Sequence, residues 1–245
     1  DEFPWEELSP AKKDGNDPDT TTVTLKEGQT LESVAEDRMG NPAMAEKLAE
    51  YNSLSGAGSA KEGDQIVVPN PIIGVKSQIM IKAKGSKDFA DPVSFGAEFK
   101  KGDQYKLRFE TNVNGHCYIF RKGIKTITPL YPLRVKQGRR NRTAAPLLRD
   151  SSTVKAGSPI EIPIGKGAFK FDEKKKGDVI YVFLSLKEIP ELEDALKSKN
   201  DITMKDIEDI RVKVREDKIL AQKPYHLLRI IGPTDILGFS LDIDG

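Results

Sequence analysis

Gly115-His116-Cys117 sets an imidazole beside a thiol, the two groups from which a cysteine nucleophile and its base can be made. The stretch reads as a strand, and neighbours on a strand point to opposite faces, so His116 cannot serve Cys117 there. A buried Cys117 and a surface or half-buried His116 are expected instead. Carboxylates gather in "ELED" (Glu191 to Asp194) and "KDIED" (Lys205 to Asp209). Both have helix-like spacing and read as solvated faces rather than as an acid and base pair. "GKGAF" (Gly165 to Phe169) shares only glycine and lysine with a phosphate loop, and a hairpin turn is expected there. "FDEKKKGD" (Phe171 to Asp178) reads as an exposed turn. The densest charge lies in "RVKQGRRNR", where Arg134, Lys136, Arg139, Arg140 and Arg142 could dock the phosphates or carboxylates of an anionic polymer. A solvated loop is the other reading of that stretch, and the lack of interleaved aromatics argues against nucleic acid. One cysteine and two histidines leave no basis for a cysteine-rich or histidine-built metal site, and no cofactor is expected.

The elements that must carry these residues are of two kinds. The chain has 245 residues, 37% of them hydrophobic, enough for one large or two modest domains with filled cores. Its 39 basic and 38 acidic residues nearly cancel, so the overall balance asks for neither nucleic acid nor an acidic membrane surface. No apolar run approaches the roughly 18 residues of a membrane-spanning helix. Residues 1–20 are acidic, contain prolines and lack a period, apart from a cluster of Phe3, Trp5 and Leu8; they read as a flexible tether. From Thr22 the pattern is a short strand, a turn at "EGQT", a helix with Leu31, Val34, Ala35 and Met39 on one face, and a second helix from about Ala43 to Tyr51. Thr30 is placed to cap the first helix. A loop, "NSLSGAGSAKEGD", then leads to the strand "QIVVP".

Beyond "PNPIIG" the chain is β-rich. "VKSQIMIKAKG", "QYKLRFETNV", "HCYIFRKG", "KTITPLYP", "SPIEIP", "DVIYVFLSL" and "YHLLRIIG" are short apolar or alternating runs separated by turn residues, a pattern of an antiparallel sandwich. Helical segments at about 188–217 would cover one end of it, and the last dozen residues fit either another strand or an ordered tail. The expected class is therefore α+β: a small βααβ module over 21–71, then a mainly antiparallel β-sandwich domain with helical additions over 72–245.

The stretch "VTLKEGQTLESVAEDRMGN…EKLAEYNSL…AKEGDQIVVP" resembles the LysM domain, a peptidoglycan- and chitin-binding module. Gly28, Thr30, Leu31, Ala35, Gly40, Leu48, Asn52, Gly63, Ile66, Val68 and Pro69 fall in its register. The chain departs from the pattern at Gln29, where aspartate is common, at Glu32, where an aromatic is frequent, and at Met44 to Ala45, where a tryptophan often sits. The resemblance implies a groove for N-acetylglucosamine with Gly28, Gln29, Thr30 and Leu31 on one wall and Ser53, Leu54, Ser55 and Gly56 on the other. Turn backbones can meet the donor and acceptor of an acetamido group, while Leu31 and Leu54 would cover its methyl and the sugar ring. The alternative is that Gly28 and Thr30 only make a turn and a cap.

The region from about Val75 to Pro190 is similar to domain of unknown function 4384, a β domain associated with bacterial envelopes. Gly102-Asp103, Asn114-Gly115, Tyr118, Phe120, Leu130-Tyr131-Pro132, Ala156-Gly157 and Ile162-Pro163 carry that likeness, and His116 occupies the place of a common tyrosine. It implies company with peptidase or peptidoglycan-binding modules and no established chemistry.

Together these readings lead to the expectation of a non-enzymatic cell-envelope protein, periplasmic in location. Its partners would be peptidoglycan or another N-acetylglucosamine polymer, and an envelope protein engaged by the β domain. A membrane would be met only through a lipid anchor preceding Asp1, for which the polar first twenty residues would serve as tether. The alternative is a protein-interaction adaptor in an envelope, secretion or motility assembly, with the LysM fold as scaffold only.

Overall fold

Strand and helix patterns alternate early in the chain, where two strands form the first sheet and the helices lie between them in sequence. In the computed structural model, which describes residues 20–123, 126–132, 151–171, 178–197, 202–214 and 219–243, β1 (Thr20–Thr24) pairs antiparallel with β2 (Gln65–Pro69), Val23 opposite Ile66. Between them come α1 (Leu31–Met39), a 3-10 turn at Pro42–Met44 and α2 (Ala45–Tyr51). Leu31, Val34, Ala35 and Met39 of α1 and Leu48 of α2 meet Ile66 and Val68 of β2 in one apolar cluster. Asn52, just past α2, stitches helix to sheet: its Nδ2 donates to the carbonyls of Leu48 and Val67, both at 2.8 Å, and its Oδ1 accepts from Val67 N at 2.7 Å.

The rest of the chain forms two antiparallel sheets. The larger holds β3 (Ile72–Lys82), β4 (Val93–Ser94), β5 (Gln104–Thr111), β9 (Ile160–Ile162), β10 (Phe169–Lys170), β12 (Ile219–Gln222) and β13 (Tyr225–Arg229), with β3 and β5 central. The smaller is ordered β14 (Leu237–Asp242), β11 (Val179–Ser185), β6 (Gly115–Lys122) and β7 (Ile127–Tyr131), with β8 (Thr153–Val154) also paired to β6. All seven runs anticipated as strands are strands, and the tail is a strand too, β14, paired along β11 from Leu237 to Asp242. The chain is thus mixed α and β with antiparallel sheets.

Each face of the smaller sheet has a cover. Cys117 and Ile119 of β6 and Ile180, Val182 and Leu184 of β11 join Val75, Ile79, Leu107 and Phe109 of the larger sheet in a shared core. The alternate residues, Tyr118, Phe120, Tyr181 and Phe183, pack under α3 (Pro190–Lys197) and α4 (Met204–Arg211) through Leu192, Leu196, Ile207 and Ile210. Strands covered on both sides have no solvent face for polar residues, which is why β6 and β11 read as continuous apolar runs.

One local expectation is corrected. β9 and β10 do not pair with each other as a hairpin; both lie along the same edge of β5, Ile162 opposite Leu107 and Phe169 opposite Tyr105. Pro163 has no N–H to continue the ladder, so "GKGAF" is an excursion within an interrupted edge. The buried Lys106 holds it, its ammonium donating to Gly165 O at 2.7 Å.

Gly40 joins the first unit to the second. It ends α1 at φ 67°, and its carbonyl accepts from Asn114 N at 2.7 Å. A Cβ there would lie 2.7 Å from Asn114 O and 2.6 Å from Leu186 Cδ2, so glycine is required both for the left-handed turn and for the close approach. Lys187 and Asp37 pair alongside at 2.6 Å.

Candidate functional site

The turn that opens the first candidate site has a twin. In Lys26-Glu27-Gly28-Gln29 the Gln29 N–H donates to Lys26 O at 3.0 Å, and Lys26 N–H donates back to Gln29 Oε1 at 3.0 Å. In Lys61-Glu62-Gly63-Asp64 the Asp64 N–H reaches Lys61 O at 3.1 Å, and Lys61 N–H reaches Asp64 Oδ2 at 2.8 Å. Gly28 and Gly63, at φ 74° and 85°, occupy the third position of their turns, where a type II turn needs a left-handed residue. Leu25 ties the two together, its N–H donating to Asp64 O at 3.0 Å and its carbonyl accepting from Gly63 N at 2.9 Å. Gln29 therefore does in the first turn what aspartate does in the second, and its amide oxygen is committed to that turn.

Thr30 caps α1 reciprocally with Ser33: Ser33 N–H donates to Thr30 Oγ1 at 3.2 Å and Thr30 N–H to Ser33 Oγ at 3.1 Å. The Glu32 carboxylate folds back onto the same helix end, where its own N–H and then the Thr30 hydroxyl hold its pKa below the ordinary value. Across from this, Ser53 adopts φ 56° and Leu54 N–H donates to Ala49 O at 2.9 Å, which lays Leu54 half-buried against the cluster containing Leu31. Ser55 is exposed; Gly56 is half-exposed, and its carbonyl accepts from Ser59 N–H and Oγ–H. Of the eight candidate residues, Gly28, Gln29, Thr30, Ser53 and Ser55 present their side chains or turn backbone to solvent. Leu31 does not: its side chain is 0% exposed, so that position could offer a ligand only its backbone. A shallow depression lined by Thr21, Arg38, Asn70 and Ile231 lies elsewhere and includes none of the eight. Arg134, Lys136, Arg139, Arg140 and Arg142 fall outside the described residues.

A second constellation lies under α3. Cys117 and His116 occupy opposite faces of β6 as expected; the thiol is fully buried and pushed up to about 12 by burial, far from any thiolate chemistry. His116 Nδ1 lies 2.9 Å from Ser152 Oγ, Ser152 donates to Glu193 Oε1 at 2.6 Å, and Tyr118 donates to the same oxygen at 2.9 Å. Tyr118 Oη in turn accepts from Ile189 N at 3.1 Å, which seats the start of α3. Burial pushes the Glu193 carboxyl up, but the bonds from Ser152 and Tyr118 outweigh it and hold the group below the usual carboxylate range. Burial also lowers His116, against the pull of Glu188 and Glu193. The order of groups differs from a nucleophile relay. Here a serine, 2% exposed, stands between the imidazole and the carboxylate and spends its proton on the acid.

Glu193 thus corrects the reading of "ELED" as a wholly solvated face: Glu191 and Asp194 are exposed, whereas Glu193 is partly buried. The signal was present in the spacing. Ile189, Leu192, Glu193 and Leu196 form one i, i+3, i+4, i+7 stripe, and a carboxylate inside an apolar stripe must find donors. Counting histidines likewise did not anticipate that His116, Glu188 and Glu193 would bring ligand-capable atoms within 4.8 Å of one another.

The chain matches no family model, no curated protein and no solved structure.

Proposed function

We propose that this chain is a non-enzymatic bacterial cell-envelope protein whose LysM-like module, residues 21–71, holds N-acetylglucosamine-containing glycan such as peptidoglycan. The two sheets that follow are read as a β-sandwich domain, like domain of unknown function 4384, that engages a further envelope partner. The observation that carries the proposal is the joint register of Gly28, Thr30, Asn52 and "EGDQIVVP" with the LysM pattern, on a strand, helix, helix, strand order whose turn and loop are solvent-exposed. A single module of this size should bind weakly, at about millimolar to micromolar, so retention relies on the polymer's repeated sites. The test is co-sedimentation of the purified chain with insoluble peptidoglycan, together with chitooligosaccharide titration followed by amide resonances of residues 26–32 and 53–56. Protein left in the supernatant and unmoved resonances would sink the proposal.

One observation favours the alternative, an interaction adaptor that keeps the LysM fold as scaffold. Glu32 already occupies donors at the α1 terminus, and Leu31 is wholly in the core, so this wall offers a sugar less than the family pattern implies. A stable protein partner retained after Thr30→Ala and Gln29→Ala substitution, with no glycan binding, would select the adaptor.

A further inference from the structure

We propose that His116, Glu188 and Glu193 form a binding site for a divalent transition-metal cation of the zinc type. The three residues come from different elements, β6, the β11–α3 connection and α3, yet their candidate ligand atoms lie within 4.8 Å of one another. Nitrogen and oxygen ligands of zinc stand about 2.0–2.2 Å from the ion, so their mutual spacing in a formed site is roughly 3–3.6 Å. The closure required is small, and the exposed Glu188 side chain can supply it.

The hydrogen bonds around the group prepare it for such an ion. Ser152 donates its only proton to Glu193, so toward His116 it can only accept. Nδ1 of His116 therefore carries the hydrogen, and Nε2 carries the free lone pair. That is the tautomer a metal-bound histidine adopts when its other nitrogen donates to a neighbouring oxygen. Glu193 Oε1 takes both Ser152 and Tyr118, which leaves Oε2 for the cation; Lys197 approaches Oε2 at 3.9 Å. Lys187, the other nearby cation, is held by Asp37 at 2.6 Å. Two carboxylates and a neutral imidazole suit a borderline-soft divalent ion better than calcium or magnesium, which favour all-oxygen sets. The exposed Glu188 side leaves a coordination position open to water, and the ion would clamp α3 onto β6 beside the contact at Gly40.

The experiment uses the full chain, stripped with chelator and titrated with Zn2+ by calorimetry, with Mg2+ and Ca2+ as contrasts and the imidazole nitrogens followed by NMR. Expected are one zinc per chain, a metal-induced shift at His116 Nε2 with the Nδ1 proton retained, and no competition from Mg2+. Glu188→Gln, an exposed change, should leave the fold intact and weaken zinc about tenfold or more; Ser152→Ala, which removes a partner of His116 and Glu193 and no ligand, should weaken it by about 10–100-fold. No zinc binding, binding as tight as the unsubstituted chain's in Glu188→Gln or in His116→Gln, or a shift at His226 in place of His116 would overturn the assignment.

Discussion

Gly40→Ala and Gly28→Ala form a pair that isolates the contact between the first unit and the sheets. Both glycines are left-handed, at φ 67° and 74°, so an alanine at either position meets the same backbone penalty of about 1 kcal/mol. They differ in what a methyl would touch. At Gly28 nothing lies within 4 Å, while at Gly40 the methyl would meet Leu186 Cδ2 at 2.6 Å, Asn114 O at 2.7 Å and Val113 Cβ at 3.0 Å. Asn114 O is backbone and cannot rotate away, so relief requires the whole turn to retreat and loosens the Asn114 N–H bond to Gly40 O. Overpacking plus one weakened hydrogen bond adds about 2 kcal/mol, giving about 3 kcal/mol in all for Gly40→Ala against about 1 for Gly28→Ala. Urea unfolding of both variants measures the difference, a factor of roughly 30 in the folding equilibrium, and hydrogen exchange of amides 113–116 locates it. Equal losses in the two variants would mean that the α1 terminus yields freely, and the docking described at Gly40 would be refuted.

Asn52→Ala removes three hydrogen bonds and takes the side-chain partner from the N–H and carbonyl of Val67, while the Leu48 carbonyl keeps the backbone N–H of residue 52; a loss of about 2–3 kcal/mol is expected in urea unfolding, and a loss under 1 kcal/mol would show that water replaces the clamp. His226 stacks on Phe239 with ring centroids 3.8 Å apart, and burial, then Lys223, pushes it down to about 4. The unfolded chain therefore takes up this proton first, so stability is full above about pH 6.5 and falls as pH drops toward 4. At about 1.4 kcal/mol per pH unit between 6.5 and about 4, and halved for residual exposure, the loss is about 1.7 kcal/mol. His226→Phe keeps the stack and should flatten this slope; an unchanged slope would assign it to other groups. The buried Cys117 should react with a thiol reagent only as fast as the chain opens, so labelling at neutral pH that outpaces unfolding would contradict its placement.

Much of this architecture was legible because periodicity and caps agree locally. Thr30 and Gly40 bracket α1 as their types require, and the long strands announce themselves by β-branched and aromatic runs. What escaped was set by partners distant in sequence. β4, β8 and β10 have two residues each and exist only because β3, β6 and β5 offer them an edge. β14 holds a glycine and a serine, a weak strand signal, yet it pairs with β11 from Val179 to Leu184, and Gly238 leaves room for Phe183 and Val214. The turns Lys-Glu-Gly-Gln and Lys-Glu-Gly-Asp repeat in the sequence, a likeness the sequence reading passed over, and the structure shows the two copies bonded through Leu25. Of the candidate glycan residues, the turn and cap roles of Gly28 and Thr30 followed from their types. The burial of Leu31 depends on tertiary packing, whereas the folding back of Glu32 is local to the start of α1. Ser152 and Glu193 meet across 41 positions, a separation no local pattern encodes.

The pairing of Asp37 with Lys187 spans 150 positions of chain. A ribosome moving at about 5–20 residues per second needs roughly 8–30 s to make that stretch. Throughout that interval the first unit must hold itself together on its own small core, because its seat, built from Asn114 on one side and Leu186 on the other, does not yet exist. Synthesis order thus leaves that core, the twin turns and the Asn52 clamp to support the amino-terminal unit until the chain just past β11 has been delivered.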